Sequence, residues 1–402
     1  MNNTVPVLDF LGLGLSPKIM DFLKRSAFTI PTPIQHQSIP AGLEGKDLIG
    51  VAQTGTGKTL AFGLAMIQRL SEMKGRGLIL LPTRELALQV DEALQKVARM
   101  HDLWTAVLIG GESMNRQFDM LRRNPRIIIA TPGRLIDHMK RKTVRLNDVK
   151  ILVLDEADRM LDMGFAPQIN EILRGVPKER QTLLYSATIP VAIVKIASSY
   201  MKLPLRVEVA PSGTAPEQVE QEIVLISKES KQEQLETILK EHLGATLVFS
   251  RTKRGATKIC RTLIKSGFKA AEIHSDRSLN QRKEALNGFK RGRYRVLVAT
   301  DIAARGIDVK NIEIVINYDL PENSEDYIHR IGRTGRAGLM GKAISFATPD
   351  QRRDIRDIER LMRKSLKVTS KLPASQMLQE RAPKTRSFGR RRHNFKSVKR
   401  PR

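Results

Sequence analysis

Two short stretches of this chain carry residues whose types and spacing suit nucleotide chemistry. Ala52 to Thr59 reads AQTGTGKT, between an apolar segment from Asp47 to Val51 and a helical pattern that begins at Leu60. A phosphate-binding loop needs that context, because backbone N–H groups at a helix N-terminus can face phosphate oxygens. Gly55 and Gly57, with Thr54 and Thr56 beside them, let the backbone come close. Lys58 would hold the β- and γ-phosphates as a point charge, and the Thr59 hydroxyl would ligate Mg²⁺. Ala52 stands where the general pattern has glycine, and a small residue suffices there. The second stretch, Ile151 to Asp158, reads ILVLDEAD, an apolar run that ends in acids. Carboxylates so placed emerge at the carboxyl edge of a sheet, where ligands of such folds bind. Asp155 fits a Mg²⁺ partner, and Glu156 could orient and deprotonate a water attacking the γ-phosphate. Taken alone, these acids are more often a helix start stabilised by the macrodipole than a catalytic pair. The phosphate loop upstream favours catalysis.

Both stretches need a sheet to position them. Short runs rich in Ile, Leu and Val, at Gly77 to Pro82, Arg126 to Thr131, Ile151 to Leu154 and Thr182 to Tyr185, predict buried parallel strands. Between two of them, Leu86, Val90, Leu94 and Val97 recur at helical spacing and form one apolar stripe. Alternation of strand and helix predicts an α/β fold with a mostly parallel, doubly wound sheet flanked by helices. The rhythm restarts after Ala210 to Pro216, with strands expected at Thr246 to Phe249, Ala271 to His274, Val296 to Ala299, Ile312 to Ile316 and Ala343 to Phe346. The expected organisation is a first domain over 1–209, a linker at 210–216, a second domain over 217–370 and a basic tail from 371 to 402. Two similar domains imply a cleft between them.

The net charge is +27 over 402 residues, which makes nucleic acid the default partner, with a merely solubilising excess of Lys or an anionic membrane surface as alternatives. The tail has eleven Lys or Arg against one acid, Glu380. It is expected to be disordered alone and to hold RNA nonspecifically, Phe388 and Phe395 lying among its arginines. Cys260 is the only cysteine, which excludes an intramolecular disulfide and a cysteine-rich zinc site and fits a reducing compartment. Nothing resembles a secretory leader, and no run approaches the roughly 20 apolar residues of a membrane span. A cytoplasmic location and no membrane partner are expected.

Asp155 to Asp158 spells Asp-Glu-Ala-Asp, and further matches run in order along nearly the whole chain outside the tail. On these the chain resembles the DEAD-box ATP-dependent RNA helicases, within them the bacterial RhlE-like group. The resemblance implies two tandem RecA-like domains, with ATP and Mg²⁺ as cofactors and RNA as partner. FTIPTPIQ, Phe28 to Gln35, is similar to the family's Q motif, where the aromatic stacks on adenine and the Gln amide reads its N6 and N7 edge. One amide that donates and accepts together selects ATP over GTP. Phe10 resembles the upstream aromatic of that motif, although its surroundings read as core. PTRELA with Arg84, the pair Gly110 and Gly111, and TPGR with Thr131 and Arg134 are similar to the first domain's RNA-backbone motifs. Ser186, Ala187 and Thr188 match the SAT motif, which couples hydrolysis to strand separation by bonding Asp158 and its neighbours.

In the second half, VFSRT and ATDIAARGID resemble later motifs, implying that Thr252 and Thr300 touch RNA phosphates and that Asp308 accepts from the ribose of ATP. HRIGRTGR implies Arg333 and Arg336 as arginine fingers that reach the γ-phosphate when the domains close. It also implies His329 and Arg330 as bridges to the acidic motif. The chain departs from the family at one place. Ser275 follows His274 where glycine is usual, and Leu279 stands where glutamine is usual, with Arg282 kept. The hydrogen bonds of that glutamine are therefore absent from the interdomain contact. The resemblance implies RNA-stimulated ATP hydrolysis and local duplex unwinding by a monomer, with ribonucleoprotein or RNA-decay partners. A DNA translocase and a non-unwinding RNA clamp or annealing protein stay open as alternatives.

Overall fold

Continuous apolar runs in this chain become parallel strands buried on both faces. The structure, a computed structural model, describes residues 9–53, 55–209, 219–304, 309, 312–335 and 340–371. The expected linker and nearly all of the basic tail lie outside these residues. The first sheet holds β1 (Leu48–Val51), β2 (Arg76–Leu80), β3 (Thr105–Leu108), β4 (Ile127–Ala130), β5 (Val149–Leu154), β6 (Gln181–Ser186) and β7 (Leu205–Glu208). Its spatial order is β3-β4-β2-β5-β6-β1-β7, and its strands pair in parallel. Side chains of successive residues leave opposite faces. Ile79, Ile127 and Ile129 therefore join one apolar cluster, while Leu78, Ile128 and Ala130 join another across the sheet. Helices such as Lys58–Glu72 and Arg84–Arg99 cover the first face, and Pro132–Lys140 and Ala166–Gly175 cover the second.

The second sheet holds β8 (Val219–Leu225), β9 (Thr246–Phe249), β10 (Ala270–Ile273), β11 (Val296–Ala299), β12 (Ile314–Asn317), β13 (Gly341–Ala347) and β14 (Lys367–Ser370), in the order β10-β11-β9-β12-β13-β8-β14. Numbered from its own first strand, each sheet reads 3-4-2-5-6-1-7. The two halves are the same topology used twice, so each loop of one has a counterpart in the other.

The counterparts have diverged in a telling way. Lys58 opens the helix after β1 and lies 3.9 Å from Asp155 Oδ1, which follows β5. Lys231 opens the helix after β8 and lies 3.1 Å from Asp319 Oδ1, which follows β12. The loop before Lys231, Ile226 to Ser230, has no glycine, and its lysine also donates to the Tyr318 carbonyl at 2.7 Å. The second half keeps the ion pair as structure. The first half leaves a glycine loop around it.

Candidate functional site

Sheet order explains which loops meet. β5, β6 and β1 are neighbours, so the acidic segment, the Ser186–Thr188 turn and the phosphate loop emerge side by side at one edge. Ala52 N donates to the Ser186 carbonyl at 3.0 Å, and Asp155 N to the Leu80 carbonyl at 3.1 Å. Both loops are thus tied to the sheet before they turn away.

Gly57 ends the loop at φ +91°, and a Cβ there would fall onto the Gln35 amide. Only glycine suits that position on both counts. Gly55 has φ +90°, and the Thr56 hydroxyl donates to the Gln53 carbonyl at 2.7 Å. Thr54 lies outside the described residues. Thr59, half-buried, sits in the first turn of the helix. Lys58 is buried, with Nζ 2.9 Å from the Ala52 carbonyl. Its charge is held under the loop, against Asp155.

Asp155, Glu156 and Asp158 are each under 5% exposed. Burial pushes the Asp155 carboxyl up to about 6, the neighbouring carboxylates add to the rise, and Lys58 opposes it. A cation beside Asp155 would relieve that cost. Glu156 adopts φ +51°, a left-handed conformation that non-glycine residues seldom take and that is often kept at functional sites. The Asp158 carboxylate accepts from Ala187 N, Thr188 N and the Thr188 hydroxyl at 2.9 to 3.0 Å, and Asp158 N donates to the Ser186 hydroxyl at 3.2 Å. The acidic segment and the Ser186–Thr188 turn are one hydrogen-bonded unit.

Gln35 is buried beneath the loop. Its Oε1 accepts from Thr32 N at 2.9 Å and its Nε2 donates to the Gly57 carbonyl at 3.1 Å. One donor and one acceptor site of the amide remain for a base. Phe28 is 43% exposed and has a face to offer, whereas Phe10 is buried in the core.

A second group forms beyond β2, β3 and β4. The Arg84 guanidinium lies against Gly110 and Gly111, so closely that a Cβ on Gly111 would strike it. Arg134 donates to the Glu112 carbonyl at 3.2 Å, and Thr131 sits at the N-terminus of the same helix, nearly buried. In the second half, the exposed Thr252 caps its helix by accepting from Gly255 N at 3.0 Å, as Thr83 caps its own from Leu86 N at 3.3 Å. Thr300 follows β11 and is half-buried.

The halves touch where the sequence departs from the family pattern. Leu279 is 4% exposed and belongs to an apolar cluster otherwise made of first-half residues. Arg282 Nη2 lies 2.7 Å from Glu85 Oε2, both side chains buried, and Lys283 Nζ lies 2.8 Å from Glu112 Oε1. The leucine replaces lost hydrogen bonds with packing. Removing Arg282 alone strands Glu85 in the closed contact at a cost of about 3 kcal/mol or more. Arg282→Ala is therefore expected to reduce the closed population roughly 100-fold, read by energy transfer between dyes on the two halves. The double variant with Glu85→Ala should recover part of the loss, and full additivity of the two changes would show that the pair does not act across the cleft.

One expectation is corrected by the geometry. Arg330 does not bridge to the acidic segment. It is held inside the second half by Asp301 at 2.5 and 2.7 Å, Asn317 Oδ1 at 3.2 Å and the Asp319 carbonyl at 2.6 Å. The cation beside the acids is Arg159 of their own helix, buried 3.6 Å from Glu156, and it lines one small cavity together with Asp301, Asp326, His329, Arg330 and Arg333. Arg159 stands three residues after Glu156, a spacing that puts both on one side of a helix turn. Arg333 is buried, its Nε donating to the His329 carbonyl at 3.2 Å. Arg336 and Asp308 lie outside the described residues.

Comparison with known proteins agrees with this geometry in both halves. Residues 32–196 match the DEAD/DEAH box helicase family and residues 230–338 the helicase conserved C-terminal domain. An ATP-dependent RNA helicase CshA of Listeria monocytogenes is 44% identical over 360 residues, covering 89% of this chain and 69% of the relative. A CshA of Bacillus subtilis is 42% identical over 362 residues, covering 89% and 73%. These relatives carry the CshA name, so the narrower RhlE-like likeness is not what they support. Among solved structures, S. cerevisiae Dbp5 bound to RNA and ADP BeF3 superposes with a TM-score of 0.82 at 30% identity, over 92% of this chain and 97% of that one. Mss116p bound to single-stranded RNA and AMP-PNP gives 0.83 at 30% identity, over 91% and 79%.

Proposed function

Because the chain belongs to the DEAD-box family of ATP-dependent RNA helicases, we infer that its two RecA-like halves form one composite site in which RNA binding completes the ATPase. The protein hydrolyses ATP in an RNA-stimulated manner and locally unwinds or remodels RNA. ATP sits on the first half, with Phe28 against the base, the free sites of Gln35 on its edge, and Gly55 to Thr59 around the phosphates. Thr59 and Asp155 would hold Mg²⁺, which would offset the buried Asp155 charge and neutralise charge on the phosphates. Glu156 takes the proton of the attacking water. Arg333 and Arg336 come from the second half, with Asp308 on the ribose.

RNA lies along Arg84, Gly110, Gly111, Thr131 and Arg134 and continues over Thr252 and Thr300. These are cations, hydroxyls and backbone N–H groups, which grip sugar and phosphate without reading bases. The observation that carries the reading is the clamp of Asp158 by Ser186 to Thr188. It makes the acids and the strand ends a rigid unit, so closure at the RNA side moves catalytic groups together. The domain bounds read from the sequence, 1–209 and 217–370, each take in one of the two sheets, and the single cysteine suits a cytoplasmic protein; no helix among the described residues is long and apolar enough to cross a membrane.

The test is steady-state ATP hydrolysis by the full chain, alone, with single-stranded RNA and with DNA of the same sequence. RNA should raise the rate and DNA should not; equal stimulation by DNA would overturn the substrate. The same assay carries a pH signature. A proton on Asp155 must leave before the cation binds, so affinity for the Mg²⁺ nucleotide should be level above about pH 7. It should fall as pH drops through about 6, by up to roughly tenfold per unit. A flat profile down to about pH 5 would remove Asp155 from the cation site.

A further inference from the structure

Thr252 begins a surface that the nucleotide site does not use. The helix Lys253–Lys265 turns Ala256, Ile259, Cys260 and Leu263 inward, and burial pushes the Cys260 thiol up to about 11, so that side is inert packing. The outward side carries Lys253, Arg254, Lys258, Arg261 and Lys265, which line one open hollow of about 440 Å³ against His274 and Asp276. Four of these cations, at 254, 258, 261 and 265, recur at spacings of four, three and four and so form one stripe. The helix is about 20 Å long. Asp276 is the only acid in the hollow, and it lies 2.7 Å from Lys253. Among the described residues, Lys258, Arg261 and Lys265 form no ion pair.

We propose that this groove holds the sugar-phosphate backbone of RNA outside the cleft, as a second and sequence-independent binding surface of the second half. The proposal rests on the RNA-helicase reading, which brings RNA to Thr252, and it extends the path along the helix that Thr252 caps. Three considerations favour RNA as the occupant. The groove carries five positive charges against one negative. It is concave, so a strand can lie in it rather than touch a convex face. It also starts one residue beyond Thr252, so one strand can occupy both. Each phosphate contact releases counterions, which makes the grip strong at low salt and the same for any sequence. Because the groove belongs wholly to the second half, it holds RNA whether or not the cleft is closed. The cleft can then open after hydrolysis without losing the molecule.

The experiment compares the full chain with a variant carrying Lys258→Ala, Arg261→Ala and Lys265→Ala, all exposed positions away from the ATP site. Affinity is measured over a salt series for two oligouridylates, one just long enough to stimulate hydrolysis and one several times longer. The variant should bind the longer RNA about tenfold or more weakly, with a salt slope shallower by about 2, as three lost single-strand contacts require. ATP hydrolysis at saturating short RNA should be unchanged, which separates this proposal from the function itself. Equal affinity and equal slope for the longer RNA would mean a solvated face and would overturn the groove. Undiminished RNA binding with lost binding to polyglutamate would overturn it in favour of an acidic protein partner.

Discussion

Glu156→Gln should lower ATP turnover by about a thousandfold, within the range of 10² to 10⁴ that a positioned general base contributes, while binding of ATP and RNA persists. The reasoning starts from burial. Glu156 is 3% exposed, in a left-handed backbone conformation fixed by its own N–H donating to Asp155 Oδ1 at 2.9 Å. Glutamine has the same shape, so the turn and the Asp158 clamp remain. What disappears is the carboxylate proposed to accept the proton of the attacking water. One negative charge beside Asp155 is lost as well, and it had been helping to hold that carboxyl up. The variant should therefore keep its Mg²⁺ nucleotide at least as firmly as the parent, and closed complexes with RNA should accumulate. Single-turnover hydrolysis measures the first effect and the lifetime of the RNA complex with ATP measures the second. If hydrolysis falls less than tenfold, the base lies elsewhere.

How much of this could be read from the chain differs by kind of feature. The central strands were legible because both faces are buried, and a two-sided strand is a continuous apolar run. The edge strand β10 was legible too, but the edge strands β7 and β14 were not. β7 reads LRVE and β14 reads KVTS, and both are largely exposed, so neither has an apolar signature. β8, VEQEIVL, interleaves polar residues with its apolar ones and so lacks a continuous run, whereas β3, TAVL, is a short buried apolar strand that was missed. The phosphate loop and acidic segment are local strings, so their residue types alone pointed to their chemistry. Contacts across the cleft are not local. Glu85 and Arg282 are 197 residues apart, and no spacing rule connects them. Leu279 read as a missing glutamine, yet its burial among first-half residues shows what occupies the contact instead. Arg330 illustrates the opposite error. A string of arginines looks equivalent in sequence, but Asp301 and Asn317 hold this one inside its own half, and that depends on strands β11 and β12 ending side by side with β9.

Arg333→Ala should reduce kcat by 10³-fold or more, the scale of an arginine finger, with the KM for ATP nearly unchanged. Arg333 follows the helix Ser324–Ile331 by two residues, and Arg330 anchors that helix to Asp301 and Asp319. Its backbone is thereby fixed to the second sheet, while the phosphate loop is fixed to the first. The nucleotide can bind the first half without it, so ground-state affinity is spared and only the closed transition state loses its donor. Arg333→Lys keeps the charge but not the planar fork, and should restore little. RNA affinity in the absence of nucleotide should be unaffected. A kcat within tenfold of the parent in Arg333→Ala would place the fingers outside this residue. The consequence of a full loss is specific to a divided site. On the proposed mechanism catalysis needs Arg333 delivered by closure over RNA, so neither half alone should hydrolyse ATP at a useful rate. RNA stimulation then requires no separate switch, because the strand that bridges the halves is what completes the active site.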